Sequence, residues 1–212
     1  MTPIKTIIAA AAVAALPQFA HADIEWTLGG AVVGAFDTSD GLDHSETTGE
    51  VFIEGVYNGL HGGIWLGTIY QDPNDDAEIE ISLGYGGEAG KIGYDVTLTG
   101  YYLNNSKFDH AGLGFELSYA LTDTVTGIAF AEVDPDSGDW DRELALEFAV
   151  TDKITAWGLL GKSDADANRY GEVGASYALN DFTALELLYE DADDSNGTLS
   201  LIVAFETSIF GG

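Results

Sequence analysis

The chain alternates between apolar and polar residues over many short stretches. Residues 76–103, DAEIEISLGYGGEAGKIGYDVTLTGYYL, show the pattern twice, on either side of a Gly-rich break. From Ile79 to Tyr85 every second residue is apolar, and the residues between are Glu, Ser or Gly. A period of two indicates β-strand, because successive side chains point to opposite faces. One face of these strands is therefore apolar and the other polar.

Twelve such segments follow one another, and most are near ten residues long. They span 24–36, 46–57, 60–71, 77–86, 91–102, 110–121, 124–133, 140–150, 154–162, 169–179, 182–190 and 198–210. About ten residues is the length that a tilted strand needs to cross a bilayer. The pattern predicts an all-β fold: a single transmembrane antiparallel up-and-down β-barrel of about twelve strands.

The connections between these segments alternate in length. The short set lies at 58–62, 86–91, 121–124, 151–154 and 179–182, and the longer, acidic set at 37–46, 71–78, 104–110, 133–141, 162–169 and 190–197. Short turns at one end and longer loops at the other are typical of outer-membrane barrels. We therefore expect short periplasmic turns, longer acidic extracellular loops and both termini on the periplasmic side.

The first residues, MTPIKTIIAAAAVAALPQFAHA, have the pattern of a secretory signal peptide. Lys5 precedes an apolar run, and Ala20 and Ala22 fit a small-x-small cleavage site. We predict a cleaved signal peptide at 1–22, one barrel domain at 23–212 and export to the outer membrane of a Gram-negative bacterium. The sequence has no cysteine, which excludes a disulfide scaffold.

Aromatic residues concentrate at the two ends of the apolar stripes. The set near the short turns is Trp26, Tyr57, Tyr85, Tyr94, Tyr119 and Tyr177, and the set near the long loops is Phe36, Tyr70, Tyr102, Trp140, Tyr170 and Tyr189. Two such belts match the aromatic girdles at the two bilayer interfaces. The ten-residue step between the belts is about 33 Å along a strand, or about 25 Å after a tilt of ~40°. A soluble, lipocalin-like barrel with the aromatics inside is the alternative.

Acidic residues outnumber basic ones by 36 to 7, for a net charge of −29. A field of that sign repels phosphate, so we expect no nucleic-acid partner. It favours cations instead. Adaptation of the surface to a saline habitat is a second explanation of the same composition.

The polar phase of the strands carries many carboxylates. The predicted pore-lining residues are Glu54, Glu78, Glu80, Asp95, Glu116, Glu143, Glu147, Glu172 and Glu186. Rings of fixed negative charge select cations, and Glu54, Glu80, Glu116 and Glu186, near mid-strand, are the candidates for a constriction. Carboxylates that only solvate a wide lumen are the alternative. The inward Trp65, Ile69, Tyr101, Trp157 and Phe182 are the side chains able to plug it.

The long loops are rich in aspartate, whose oxygens suit Ca²⁺ and Mg²⁺. The residues concerned are Asp72, Asp75, Asp76, Asp134, Asp136, Asp139, Asp191, Asp193 and Asp194. None of the loops has the calcium-loop pattern with Gly sixth and Glu twelfth, so we predict no specific metal site. Divalent cations held loosely by these loops would bridge them to outer-membrane lipid and lipopolysaccharide.

Catalytic motifs are missing from the sequence. An outer-membrane hydrolase needs Ser, His and an orienting acid together, and the mature chain offers only His44, His61 and His110, in a loop, at a turn and in the polar phase. GxSxG and HExxH are absent. We therefore predict no enzyme and no cofactor.

Residues 61–103 resemble the TorF family of porins. The similar stretches are HGGIWLGTI (61–69), at a Gly-aromatic hairpin, and EIEISLGYGGEAGKIGYDVTLTGYYL (78–103), with its Leu-Gly-Tyr, Gly-rich turn and closing Tyr-Tyr. The start differs, since GGAVVGAFDTSDG (29–41) stands where that family often has Arg-Gly-Ile-Ser. The resemblance implies an outer-membrane channel.

These observations predict a porin-like channel for passive diffusion of small cationic or neutral solutes, with a preference for cations. A non-conducting structural or adhesive barrel, whose acidic loops bind divalent cations or lipopolysaccharide, is the alternative.

Overall fold

A computed structural model of the chain describes residues 24–39, 41–69, 74–193 and 196–210. The predicted signal peptide at 1–22 lies outside the described residues, as do Tyr70, Asp72 and Asp194. Across the described residues the chain forms twelve strands. They are β1 (Glu25–Asp37), β2 (Asp43–Tyr57), β3 (Leu60–Thr68), β4 (Ala77–Ala89), β5 (Ile92–Leu103), β6 (Lys107–Thr122), β7 (Val125–Val133), β8 (Trp140–Thr151), β9 (Ile154–Ser163), β10 (Asn168–Asn180), β11 (Thr183–Ala192) and β12 (Thr198–Phe210).

Each strand pairs antiparallel with its neighbours in sequence, and β1 also pairs with β12. The sheet is therefore a closed barrel without a free edge. This confirms the predicted up-and-down, twelve-stranded all-β fold. No helix in the described part of the chain is long and apolar enough to cross a membrane.

The connections differ between the two ends of the barrel, as predicted. Two residues each join β2 to β3, β4 to β5, β6 to β7, β8 to β9 and β10 to β11 at one end. The first of these turns is Asn58-Gly59, with φ of 51° and 83°. Positive φ at both positions favours Asn-Gly in a tight hairpin, because other side chains are strained there. We call this the short-turn end and the opposite one the long-loop end.

The two faces of the barrel wall differ in chemistry. Ile202 is 1% exposed, whereas its neighbours Leu201 and Val203 are 45% and 47% exposed. Strand alternation puts Ile202 on the inner face and the other two on the outer face. Most exposed large apolar side chains belong to this outer phase, including Leu144 and Leu160. The arrangement is the opposite of the lipocalin-like alternative, in which the aromatic phase faces inward.

Candidate functional site

The nine predicted pore-lining carboxylates all lie on the inner face. Residues paired directly across two strands share a face, so the register assigns each side chain. Glu186 pairs with the buried Ile202, for example, and Asp95 pairs with Glu116. The remaining six follow by the same pairing and alternation: Glu54, Glu78, Glu80, Glu143, Glu147 and Glu172.

The inner face carries further carboxylates that the sequence analysis did not select. They include Glu46, Glu50, Glu132, Asp141, Glu190 and Glu206. Glu46, Glu50, Asp141 and Glu190 share the phase of a selected residue on their own strand, so the alternation already contained the signal for them. Glu132 and Glu206 lie on β7 and β12, which carry no selected carboxylate. Most of them lie closer to a strand end than the selected ones.

Between the rims, three pairs of carboxylates stand directly opposite each other on this face, and a fourth pair, Asp37 with Asp43, lies at the long-loop rim. Asp95 pairs with Glu116, Glu132 with Asp141, and Glu172 with Glu190. Like charges in directly opposed positions destabilise a sheet. The three pairs between the rims lie on β5–β6, β7–β8 and β10–β11, so negative charge is spread around the inner wall rather than gathered at one point.

No Lys or Arg faces them between the two rims of the described barrel. Lys91 and Lys153 lie in short turns, and Lys107 begins β6 at the long-loop rim. Arg142, Lys162 and Arg169 pair with one another across β8, β9 and β10, on the outer face. The Lys and Arg side chains of the described barrel therefore lie at its rims or on its outer face, and on the inner face His61 Nε2 lies 2.7 Å from Asp95 Oδ2.

An apolar patch occupies another part of the inner face. It consists of Ala31, Val33, Leu188 and Ile202, on β1, β11 and β12, with Trp157 of β9 packed against it. These four side chains are at most 8% exposed. The inner face therefore has an apolar side as well as its acidic ones.

Four large inner side chains lie against the wall, each over a glycine. The pairs are Phe52 over Gly29, Trp65 over Gly67, Trp157 over Gly174 and Tyr170 over Gly161. A Cβ added to any of these glycines would lie 2.0–2.3 Å from a ring atom, which is closer than such atoms approach. The glycines thus make the space that lets the rings lie flat instead of projecting across the barrel.

The five side chains that the sequence named as able to plug the lumen are not together. Trp65, Tyr101 and Trp157 lie on the inner wall, on β3, β5 and β9. Ile69 and Phe182 lie beyond the ends of their strands, at opposite rims, and Phe182 is 60% exposed. Ile69 and Phe182 therefore cannot close the middle of the barrel.

Tyr170 corrects one assignment to the aromatic belts. Its hydroxyl donates a hydrogen bond of 2.6 Å to Glu143 Oε1 on the inner face, and it shares the phase of Glu172. The predicted outward placement of Tyr170 is wrong, because the alternation along β10 gives this side chain the inner face although it lies near a loop. The remaining described belt residues have the outward phase: Trp26, Phe36, Tyr57, Tyr85, Tyr94, Tyr102, Tyr119, Trp140, Tyr177 and Tyr189. Tyr70 lies outside the described residues.

Two of the described histidines, His61 and His110, lie within hydrogen-bonded or stacked groups on the inner face, and the exposed His44 has its Nε2 2.9 Å from the Thr47 hydroxyl oxygen. His61 Nε2 lies 2.7 Å from Asp95 Oδ2, on the inner face near the short-turn end, and Thr97 also donates to Asp95. His110 stacks on Tyr101 at 4.3 Å, and the Tyr101 hydroxyl donates to both oxygens of Glu132. None of the hydrogen bonds found among the described residues joins a histidine to a serine.

Two aspartates of the long loops, Asp75 and Asp134, accept hydrogen bonds from other loop residues and so stabilise the loops. Asp75, 1% exposed, accepts backbone N–H groups of Asn105 and Ser106 at 2.6 and 2.9 Å and the Ser106 hydroxyl. The side-chain hydrogen bond from Ser106 is the main cause that holds the pKa of Asp75 below its ordinary value. Asp134 accepts the Asp136 N–H at 2.8 Å. Within the described residues, no group of three or more His, Asp or Glu is arranged to hold a metal ion.

Solved structures of similar fold are outer-membrane proteins. The KdgM porin matches with a TM-score of 0.68 at 8% identity, over 87% of this chain and 99% of that one. The NanC porin matches with a TM-score of 0.59 at 10% identity, over 84% and 98%. An outer membrane channel from Pseudomonas putida F1 matches with a TM-score of 0.56 at 10% identity, over 91% and 99%.

At these identities the likeness shows the fold alone. No protein-family model matches the chain, and no curated protein matches it. The resemblance to the TorF family therefore stays a prediction. What this chain shares with the solved porins and channels is a closed antiparallel barrel.

Proposed function

We propose that this protein is a porin-like channel of the Gram-negative outer membrane, through which small cationic or neutral solutes diffuse passively. It works without a cofactor and without catalysis. The outer face supports the membrane position, because it presents apolar side chains between two levels of aromatic residues. The solved porins and channels of the same fold support the class of function.

The observation that carries the cation preference is the three directly opposed carboxylate pairs between the rims of the inner face. Like charges in such positions repel, and the Lys and Arg of the described barrel lie on its outer face, in its short turns or at its long-loop rim. Cations entering the lumen would lower this repulsion. Fixed negative charge then concentrates cations and opposes anions.

The flat packing of the large inner side chains supports an open passage. Rings that projected towards the axis would fill a twelve-stranded barrel, which lies between filled eight-stranded barrels and open sixteen-stranded ones. Gly67 and Gly174 let the indoles of Trp65 and Trp157 lie along the wall instead. We therefore expect space near the axis for water and solute.

The proposed solute differs from what one porin of this fold binds. The KdgM porin has been solved in complex with oligogalacturonate, a chain of sugar carboxylates. The inner face described above would repel such a polyanion. We therefore expect cationic or neutral solutes, rather than a polyanion, to diffuse through this protein.

Conductance of the refolded mature chain in a planar bilayer, under a KCl gradient, tests the proposal. We expect stable current steps and a reversal potential whose sign shows that K⁺ is more permeant than Cl⁻. Folded protein that gives no steps would contradict the channel. A reversal potential of the opposite sign would contradict the cation preference alone.

A charge-matched pair of variants locates the source of the selectivity. Asp95→Asn, Glu116→Gln, Glu172→Gln and Glu190→Gln together neutralise two of the inner pairs, and we expect the K⁺/Cl⁻ permeability ratio to fall at least about twofold. The control neutralises four exposed aspartates of loops and turns: Asp136, Asp139, Asp152 and Asp181. Equal changes in both variants would mean that the overall charge, not the inner face, sets the selectivity.

A separate experiment tests the membrane position. One variant carries an arginine on the outer face of β6, and the other carries it on the inner face of the same strand. Leu117 is 54% exposed on the outer face of β6, and Ser118 follows it on the inner face. Leu117→Arg should impair insertion, at a cost of about 2–4 kcal/mol near the bilayer midplane. Ser118→Arg should insert normally, because its side chain would face water. Equal folding yields in lipid vesicles would contradict the assignment of the faces.

The apolar patch favours a second candidate, a non-conducting structural or adhesive barrel. Ile202 and Leu188 are almost fully buried although they face inward, and Trp157 packs against them. Side chains that extend this packing across the axis would close the lumen. The conductance experiment separates the two candidates, since only the channel gives steps.

A further inference from the structure

We propose that the outer face of β8 and β9 at the long-loop end binds the phosphorylated head of lipid A, with acyl chains in the apolar recess beside it. The proposal rests on the membrane position given above but not on conduction. It also differs from bridging by the acidic loops, because it assigns the phosphate to basic side chains of the barrel wall.

Basic residues are concentrated on this part of the outer face. Arg142 of β8 pairs directly with Lys162 of β9, which pairs with Arg169 of β10. These are three of the six Lys and Arg that follow the predicted signal peptide. In a chain of net charge −29, an anionic lipid would meet repulsion over most of the surface and attraction here.

The geometry suits a phosphate at the bilayer interface. Arg142 and Lys162 are about half exposed, with side-chain exposures of 49% and 51%. The Arg142 guanidinium lies 5.9 Å from the ring centre of Trp140, an outward aromatic of the long-loop belt. Arginine presents a planar fork of donors that binds phosphate through two hydrogen bonds, and Trp is typical of the headgroup level.

Acidic neighbours shape this cluster without cancelling it. Asp164 forms ion pairs with both Arg142 and Lys162, and the Lys162 Nζ to Asp164 Oδ1 distance is 2.6 Å. One carboxylate shared by two cations leaves the pair with net positive charge and holds the two side chains together. Asp191 and Asp193 lie on the other side, next to Arg169. We therefore assign the phosphate to Arg142 and Lys162.

An apolar recess continues from these two residues along the outer wall. Its upper part is lined by Arg142, Lys162, Leu144 and Leu160, and its lower part again by Leu144 and Leu160 together with Leu146, Phe148 and Gly158. The recess exists because small residues replace bulky ones there, Gly127 and Ala129 on β7 and Gly158 on β9. A basic head site above an apolar recess matches a phosphorylated, multiply acylated lipid and not a free anion.

Native mass spectrometry of the refolded mature barrel in detergent and EDTA tests the site. The probes are diphosphoryl lipid A, the same lipid without its phosphates, and inorganic phosphate as a competitor. We expect the wild type to bind the phosphorylated form at least about tenfold more tightly. Equal binding of the two lipids would overturn the proposal, and so would binding that EDTA abolishes, because bridging metal ions would then carry the contact.

Two double variants, matched in charge, locate the contact. Arg142→Gln with Lys162→Gln should remove most of the preference for the phosphorylated lipid. Lys91→Gln with Lys153→Gln, in the short turns, should keep it. Equal losses in both would mean non-specific attraction and overturn the assignment. The comparison of the two lipids on the wild type stands even where a variant folds poorly.

A substitution that fills the recess tests the contact with the acyl chains separately from the contact with the phosphorylated head. A Cβ at Gly158 would have only the Glu172 carbonyl oxygen near it, at 3.8 Å, so Gly158→Leu fits without a clash at that atom. We expect it to weaken binding of both lipids by a similar factor. Unchanged binding of both, or displacement of lipid A by an equal concentration of inorganic phosphate, would overturn the lipid assignment. Conductance is read separately, so a barrel that does not conduct but keeps the lipid preference would disprove only the channel.

Discussion

Two parts of the inner face are built by the same alternation and have opposite consequences for the fold. The apolar patch on β1, β11 and β12 packs its side chains against one another and against Trp157. The acidic row, Asp95, Glu116 and Glu143, runs across β5, β6 and β8 with Phe130 between the two glutamates. Burial of the patch stabilises the barrel, whereas the neighbouring charges of the row repel.

The difference shows where the chain gains stability and where it departs from the rules of stable sheets. A sequence under selection for stability alone would place a cation or a neutral residue opposite Asp95. Departures from such local rules concentrate at functional sites. The comparison therefore assigns structural support to the patch and the proposed contact with solutes to the row.

The largest expected effect on stability comes from a substitution in the apolar patch. Ile202→Ala removes a side chain that is 1% exposed and leaves a cavity, so we expect the free energy of unfolding to fall by about 2–5 kcal/mol. Leu201→Ala is the control, because Leu201 is the next residue and lies on the outer face, 45% exposed. Urea unfolding from lipid vesicles measures both.

Equal losses in the two alanine variants would contradict the patch as the stabilising part of the inner face. A small loss for Ile202→Ala alone would mean that water fills the space at little cost, and hence that the lumen is wider than the burial of Ile202 indicates.

A smaller effect tests the flat packing next to the patch. A Cβ at position 174 would lie 2.3 Å from Cζ2 of Trp157, so Gly174→Val must push the indole away from the wall. We expect lower single-channel conductance and a loss of stability of about 1–3 kcal/mol from overpacking. Adding Trp157→Ala should restore the conductance.

Gly34→Ala provides the control for that substitution, since its nearest atoms would be at ordinary contact distance, 3.8 Å or more, and it lies on the outer face. Conductance that is unchanged in Gly174→Val would show that the ring of Trp157 does not border the passage.

The fold followed from the sequence because alternation reports directly on a barrel wall with one apolar and one polar face. The predicted segment 154–162 is β9 (Ile154–Ser163) to within one residue. The ends were less accurate where both faces meet water. In addition, β6 begins at Lys107 rather than at 110, because a β-bulge opposite the stretch between Gly100 and Tyr102 of β5 interrupts the alternation there.

The pairs within the site did not follow, because they depend on register between strands. Phase puts Glu172 and Glu190 on the inner face, but only the pairing of β10 with β11 makes them direct neighbours. Register also brings together Arg142 and Lys162, 20 positions apart in sequence. The prediction for Tyr170 is wrong for another reason: alternation along the strand gives it the inner face, whereas its closeness to a loop suggested the aromatic belt.

The smallest expected effect is in the acidic row itself. Glu116 stands directly opposite Asp95, so Glu116→Gln should raise the free energy of unfolding by about 0.2–1 kcal/mol. Glu147→Gln is the control, because the residues paired with Glu147 are Trp157 and Thr126, which carry no charge. Any gain should shrink as KCl increases, since salt screens the repulsion that the substitution removes. A loss of stability in Glu116→Gln, at low and high salt alike, would mean that Glu116 is held by favourable contacts and that the row does not weaken the fold.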